Sequence, residues 1–345
     1  MADPASGRTP LLIDVDTGID DSLALLYACA SPEAEIVGVT CVSGNVEASQ
    51  VALNTLAVLE LAGRSDVEVA IGRRVPLVRE LRTAPDTHGP RGLGYAELPD
   101  PQRPLATRHA ADLIIEEARS RPGKVTLVTL GPLTNLAVAL LLEPQLPRLV
   151  RRLVLMGGSY RSAGNTAPTS EWNVAVDPEA MQLVLRAFGA PDVPQRPLAL
   201  GLDVTEHAKL TPDHLEHLAR RAGCRSDGSS LSGGRPNAVV RFLGDALRFY
   251  MEFHSRSDGF YGAFIHDPLA LAAALDPSLV RTVPVTVEVE VGGILTTGET
   301  VTDWRRTWGR PPNLDVAVSA DVETFFTRFQ DRVGRLAAGR AGVAS

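Results

Sequence analysis

Leu11-Leu12-Ile13-Asp14-Val15-Asp16-Thr17-Gly18-Ile19-Asp20-Asp21-Ser22-Leu23-Ala24-Leu25-Leu26 sets four carboxylates between an apolar run short enough for one buried strand and an apolar-periodic run with helical spacing. Like charges this close repel and raise one another's pKa unless a cation or a shared proton compensates. Asp14 and Asp16 stand two residues apart, so a strand sends both to one face, while Gly18 permits a tight turn and Asp20 or Asp21 can cap a helix from Ser22 to Ala30. The oxygens are expected to converge at the strand end. Hard oxygen donors gathered in this way suit Mg²⁺ or Ca²⁺ better than zinc, which prefers nitrogen and sulfur. Helix capping accounts for one or two of these acids and not for four.

Outward from this segment the chain alternates. Strands are expected at Glu35 to Val42, Val67 to Ile71, Lys124 to Leu130, Arg152 to Met156, Pro197 to Leu202 and Thr282 to Val291. Helices are expected at Val46 to Ala62, Arg108 to Arg121, Leu133 to Leu142, a segment opened by Asp177-Pro178 and ending at Phe188, Asp213 to Ala222, Ala238 to His254, a segment from His266 through Ala274, and Asp321 to Leu336. Strand and helix in turn imply parallel βαβ units, hence a single-domain α/β fold with an open, mostly parallel sheet and helices on both faces, Rossmann-like. Residues 1–9 read as a disordered tail, 10–336 as the domain, and 337–345 as a frayed end. The Gly- and Ser-rich stretch 223–237 reads as a mobile insertion, and Val75 to Pro104, rich in Pro, Gly and Arg, as an ordered loop over a site with His88 in it.

The 345 residues with 44% hydrophobic content allow a substantial core. A formal charge of -7 without a basic run argues against nucleic acid as a partner. No stretch approaches the roughly 18 uninterrupted apolar residues of a membrane helix, so a membrane partner is not expected either. Cys29, Cys41 and Cys224 show no C-x-x-C spacing, which indicates neither a disulfide framework nor a zinc site. A cytoplasmic location is expected.

In open parallel sheets ligands bind beyond the carboxyl ends of the strands. The informative polar groups all fall there: Asp14 to Asp21, Ser43-Gly44-Asn45, Gly131-Pro132-Leu133-Thr134-Asn135 after Leu130, and Met156-Gly157-Gly158 through Glu171-Trp172-Asn173, with His266-Asp267-Pro268 as a further contribution. Together these stretches, in this order and with Asp14-x-Asp16-x-Gly18-x-Asp20-Asp21 at their head, resemble the inosine-uridine preferring nucleoside hydrolases from Leu11 to about Phe329.

The resemblance implies hydrolysis of the N-glycosidic bond of ribonucleosides, assisted by a tightly held Ca²⁺. It implies that Asp16, Asp21 and Asp267 ligate the ion by carboxylate and Leu130 by its carbonyl. Asp16 would be the general base and His266 the acid for the leaving base, with His88 near that base. Asp20, Asn45, Asn165, Glu171 and Asn173 would hold the ribose hydroxyls, Met156 would pack on the sugar, and Trp172 would stand beside it. A small-molecule ribonucleoside is thus the implied partner, and the protein an implied homo-oligomer, dimer or tetramer.

Two departures stand out. Thr17 replaces the usual proline and brings a hydroxyl near the ion. Where some members place tyrosine and arginine over the base, this chain has His254-Ser255-Arg256-Ser257-Asp258-Gly259-Phe260-Tyr261, which leaves purine or pyrimidine preference open. Two other readings compete. Asp14-Val15-Asp16-Thr17 after a strand is also similar to the Mg²⁺-dependent aspartyl-phosphate phosphatases, whose motif wants Thr or Val at Gly18 and leaves Asp20-Asp21 unexplained. A non-catalytic nucleoside- or ribose-binding protein is the other, and its sign would be a missing base or metal ligand.

Overall fold

The computed structural model describes residues 7–224 and 237–340. Its strands are β1 (Thr9–Val15), β2 (Ala34–Cys41), β3 (Val69–Ile71), β4 (Thr126–Thr129), β5 (Arg152–Met156), β6 (Leu198–Leu200), β7 (Lys209–Leu210), β8 (Ala263–Phe264), β9 (Val280–Val289), β10 (Thr300–Asp303) and β11 (Leu314–Ala320). Nine of them form one sheet in the order β10-β9-β11-β6-β5-β4-β1-β2-β3, while β7 and β8 pair separately. From β3 to β6 every pairing is parallel, and β11 joins β6 in parallel too. β9 runs antiparallel to both β11 and β10 at the far edge of this sheet, and the separate pair β7 and β8 is antiparallel too. The fold is the expected single-domain α/β architecture.

β1 is apolar without alternation because it is covered on both faces. Ile13 and Val15 belong to the apolar core on one face, which takes in helices Ile19–Ala30, Ala238–Ser257, His266–Leu275 and Val322–Arg340, whereas Leu12 belongs to the core on the other, with Ala110–Ser120, Thr134–Leu142 and Pro178–Phe188. The order β3-β2-β1-β4-β5-β6 reverses between β1 and β4, so the loops after these two strands diverge and leave a crevice. The acidic segment ends β1, and Leu130 follows β4.

Several boundaries differ from the sequence reading. The first helix starts at Ile19, not Ser22, with Gly18 at its cap. Thr9, assigned to the tail, opens β1 and donates its N–H to Glu33 O at 2.7 Å. The last helix continues past Leu336 to Arg340, because Ala337 is fully buried and Arg340 Nε reaches Leu61 O at 3.2 Å. Strands β10 and β11 carry no expectation from the sequence. Residues 225–236 of the expected insertion lie outside the described residues, but Asn237, at its far end, caps helix Ala238–Ser257 and donates to Ala337 O at 2.6 Å.

Candidate active site

The crevice beyond β1 and β4 is a cavity of about 480 Å³, within the range of small-ligand sites. Its floor is built by backbone hydrogen bonds to carboxylates. Asp21 Oδ2 accepts from Gly18 N at 2.9 Å and Asp21 Oδ1 from Asp16 N at 3.2 Å, so the third helical residue ties down the turn that precedes its own helix. Asp16 Oδ2 accepts from Asn45 N at 2.8 Å, and Asn45 Nδ2 donates to Asp21 Oδ2 at 3.3 Å. The loop after β2 is thereby fastened to the loop after β1.

Asp14 is not part of the cavity wall. Still inside β1, it turns to the other face, where Thr40 Oγ1 donates to its Oδ1 at 2.5 Å and Asn135 Nδ2 at 2.8 Å. Burial pushes its carboxyl up to about 7 against those two hydrogen bonds. Thr17 also departs from expectation: its hydroxyl pairs with Thr55 Oγ1 at 2.6 Å, away from the acids. Gly18 is needed for space rather than for a left-handed turn. Its φ is -96°, and a Cβ there would stand 2.6 Å from His88 Nδ1.

Asp16, Asp20, Asp21 and Asp267 are at most 5% exposed, and no lysine or arginine among the described residues lines the cavity. Burial, then the charge of Asp21, drives Asp16 and Asp20 well above the usual carboxylate range, while Asp21 rises to about 6 by burial against its backbone hydrogen bonds. Asp267 rises through burial, then through Asp20 and Asp21. One oxygen each of Asp20, Asp21 and Asp267 falls within 4.8 Å of the others. Oxygens bound to one Ca²⁺ at 2.3–2.6 Å lie at most about 5 Å apart, so the donor set fits a hard divalent cation. Asp20, implied as a sugar ligand, is in this triple; Asp16, implied as a metal ligand, is outside it.

The walls hold the remaining expected residues. Glu171 caps helix Trp172–Val176, with Oε1 accepting from Asn173 N at 2.8 Å and Oε2 from Gly158 N at 2.9 Å and Val174 N at 3.1 Å. Burial still raises its pKa. Asn173 Nδ2 donates to Leu130 O at 2.7 Å, and Asn165 Oδ1 accepts from Trp172 N at 2.9 Å. Met156 and Trp172 line the same cavity. His88, on the short helix Pro85–His88 within the expected loop, accepts from Ile19 N at Nδ1, 3.1 Å away. His266 Nδ1 lies 2.8 Å from Thr205 Oγ1. Burial pushes both rings down to about 3.

Tyr250, His254, Asp258 and Glu206 also line the cavity without having been singled out as site residues. The signal that finds two of them is the i,i+4 pair His254 and Asp258 at the end of an amphipathic helix. Glu206 has no such signal.

Two glycines explain how the loops come so close to Asp16. A Cβ on Gly44 would stand 2.1 Å from Asp16 Oδ2, and one on Gly131 2.7 Å from Asp16 Oδ1. Gly44→Ala therefore displaces the carboxylate, and a misplacement approaching 1 Å costs about 10²-fold in rate. That drop in kcat/KM is expected with an unchanged circular dichroism spectrum, whereas Gly339→Ala, with open space around it, leaves kcat/KM as it is. Equal rates for both variants would show that the contact does not position Asp16.

The family model described as inosine-uridine preferring nucleoside hydrolase matches residues 11–327. The chain is 37% identical to uridine nucleosidase 1 of Arabidopsis thaliana, over 91% of this chain and 89% of that protein. It is likewise 37% identical to an inosine-uridine preferring nucleoside hydrolase of Leishmania major, over 94% of this chain and 98% of that one. Its fold superposes on the solved purine-preferring ribonucleoside hydrolase of Gardnerella vaginalis with a TM-score of 0.85 at 33% identity, covering 96% and 99% of the two chains.

Proposed function

The chain belongs to the inosine-uridine preferring nucleoside hydrolase family, and from that membership we infer that it hydrolyses the N-glycosidic bond of ribonucleosides to base and ribose with the help of a bound Ca²⁺. It is an N-glycosyl hydrolase. The observation that carries the calcium reading is the set of buried carboxylates Asp16, Asp20, Asp21 and Asp267 with no lysine or arginine beside them among the described residues.

In this reading Asp16, Asp21, Asp267 and the Leu130 carbonyl would hold the ion, with Asp16 turning toward the oxygens that Asp20, Asp21 and Asp267 already gather. Bound there, the ion would lower the pKa of a water molecule beside Asp16. Asp16 takes the proton of the attacking water as its oxygen closes on C1′. Asp20 and Glu171 face the positive charge that develops on the sugar ring, which buried carboxylates stabilise more than water does. Asn45, Asn165 and Asn173 orient the ribose hydroxyls, and a substrate lacking one leaves a buried polar group unpaired. Met156 packs on the sugar. The departing base must gain a proton, and three histidines, His88, His254 and His266, border the cavity to supply it or to hold the base.

A cytoplasmic enzyme is part of the reading, in keeping with the free thiols of Cys29, Cys41 and Cys224. So is a homo-oligomer, which would cover exposed apolar side chains such as Leu141, Leu142, Ile294 and Leu295. No described helix is long and apolar enough to cross a membrane.

The names of the relatives point to different bases, so base preference is a matter for assay. Ribose release from inosine, adenosine, guanosine, uridine and cytidine is expected to vanish on chelation and return with Ca²⁺, ranking the bases in the same experiment. If folded, calcium-loaded protein cleaves none of them, the non-catalytic ribose-binding reading takes its place.

A further inference from the structure

The three histidines of the cavity differ in what holds their second nitrogen. His88 Nδ1 accepts the Ile19 N–H at 3.1 Å, so its neutral ring carries the hydrogen on Nε2. Protonating Nδ1 would turn two donors against each other, which makes His88 a fixed hydrogen-bond donor and a poor acid. His266 Nδ1 meets only the Thr205 hydroxyl, at 2.8 Å, and that hydroxyl also bonds Gly201 O at 3.1 Å. The Thr205 hydroxyl gives its own hydrogen to Gly201 O, so the partner on His266 Nδ1 is a neutral acceptor and not a carboxylate.

His254 is arranged otherwise. It occupies the last turn of helix Ala238–Ser257, the end that favours a cation, and its Nδ1 lies 2.8 Å from Oδ2 of Asp258, the residue that caps the helix. Burial holds the His254 ring below its ordinary value, and the Asp258 carboxylate offsets part of that cost while keeping the hydrogen on Nδ1, the arrangement that lets the opposite ring nitrogen give a proton to a leaving group. The opposite nitrogen, Nε2, is buried without a protein partner, on a side chain only 6% exposed that lines the cavity. Rings of Tyr250, Phe260 and Phe264 surround it, with centroids 4.7, 5.6 and 4.8 Å away, and hold its orientation.

We propose that His254, oriented and charge-supported by Asp258, is the acid that protonates the departing base, in place of His266. The inference rests on the hydrolase reading above. As the water oxygen bonds to C1′ and its proton passes to Asp16, the C1′–N bond breaks. Its electron pair stays on the base, and a base nitrogen takes the proton from His254 Nε2. Both side chains then re-equilibrate with solvent, and one water is consumed.

Purified, calcium-loaded enzyme is assayed on inosine and on 4-nitrophenyl riboside, whose leaving group departs without a proton. His254→Gln is expected to lower kcat on inosine by about 10² to 10⁴, the usual range for a general acid, with a loss on the nitrophenyl substrate at least thirtyfold smaller. Asp258→Asn, a surface change on a side chain 40% exposed, tests the same idea without disturbing the packing. It is expected to lower kcat on inosine by about tenfold or more with little change in KM. His266→Gln is expected to slow both substrates alike. Equal losses on the two substrates for His254→Gln, or a leaving-group-dependent loss for His266→Gln, would overturn the assignment. Wild-type protein inactive on both substrates would overturn the hydrolase reading instead.

Discussion

Asp16→Asn is expected to lower kcat on inosine by at least about 10³-fold while the metal-free protein becomes more resistant to heat. The replacement keeps the shape and an oxygen for the Asn45 N–H, which lies 2.8 Å away, so the loop after β2 stays fastened. What disappears is a base and a negative charge. Loss of general base catalysis alone is worth about 10² to 10⁴, and a weaker cation site adds to it. The stability change has the opposite sign because burial and the neighbouring Asp21 charge already oppose ionisation of Asp16 in the fold. Taking that charge away relieves the repulsion. Steady-state kinetics and thermal melts in chelator check both halves; turnover within tenfold of wild type would remove Asp16 as the base.

Calcium is expected to raise Tm strongly at pH 8 and hardly at all at pH 5. Asp21 moves from an ordinary 3.8 to about 6 in the folded protein, and Asp16, Asp20 and Asp267 also move up. Carboxyls raised on folding favour the fold below their unfolded value and lose that contribution as pH climbs through the folded one; for Asp21 alone the loss is of order 3 kcal/mol. The metal-free protein therefore melts lower at pH 8 than at pH 5. The cation binds the ionised cluster, so its benefit grows over the same interval. At a hundredfold excess over Kd it contributes about 2.7 kcal/mol, or roughly 4 °C for a chain of this size. A calcium shift independent of pH would mean that the ion binds somewhere other than this cluster.

The crevice that holds the candidate site was legible because the acids after β1 outnumber what a helix start requires, and because the other polar motifs also follow strand ends. The parallel sheet was legible from alternation of apolar runs. Other features depend on partners that the local sequence does not reveal. Asp20-Asp21-Ser22 reads as a set of caps, yet Asp21 already serves the helix from its third position, which moves the start back to Ile19. Asp14 and Asp16 share a parity that suggests one face, but β1 ends at Val15, so only Asp14 obeys the strand's alternation. β10 reads Thr-Val-Thr-Asp and owes its place to pairing with β9. Glu206 and Tyr250 reach the cavity through packing between segments far apart in the chain.

That dispersal has a kinetic side. The proposed cation site would draw Asp16 from the residue after β1, Asp21 from the first turn of helix Ile19–Ala30, Leu130 from the residue after β4 and Asp267 from a helix some 250 residues later. A partly folded chain that has not yet closed β1 against β4 and brought that helix alongside offers no complete cage. A cation that binds only the completed arrangement would lengthen the lifetime of the native state and do little to hasten its formation.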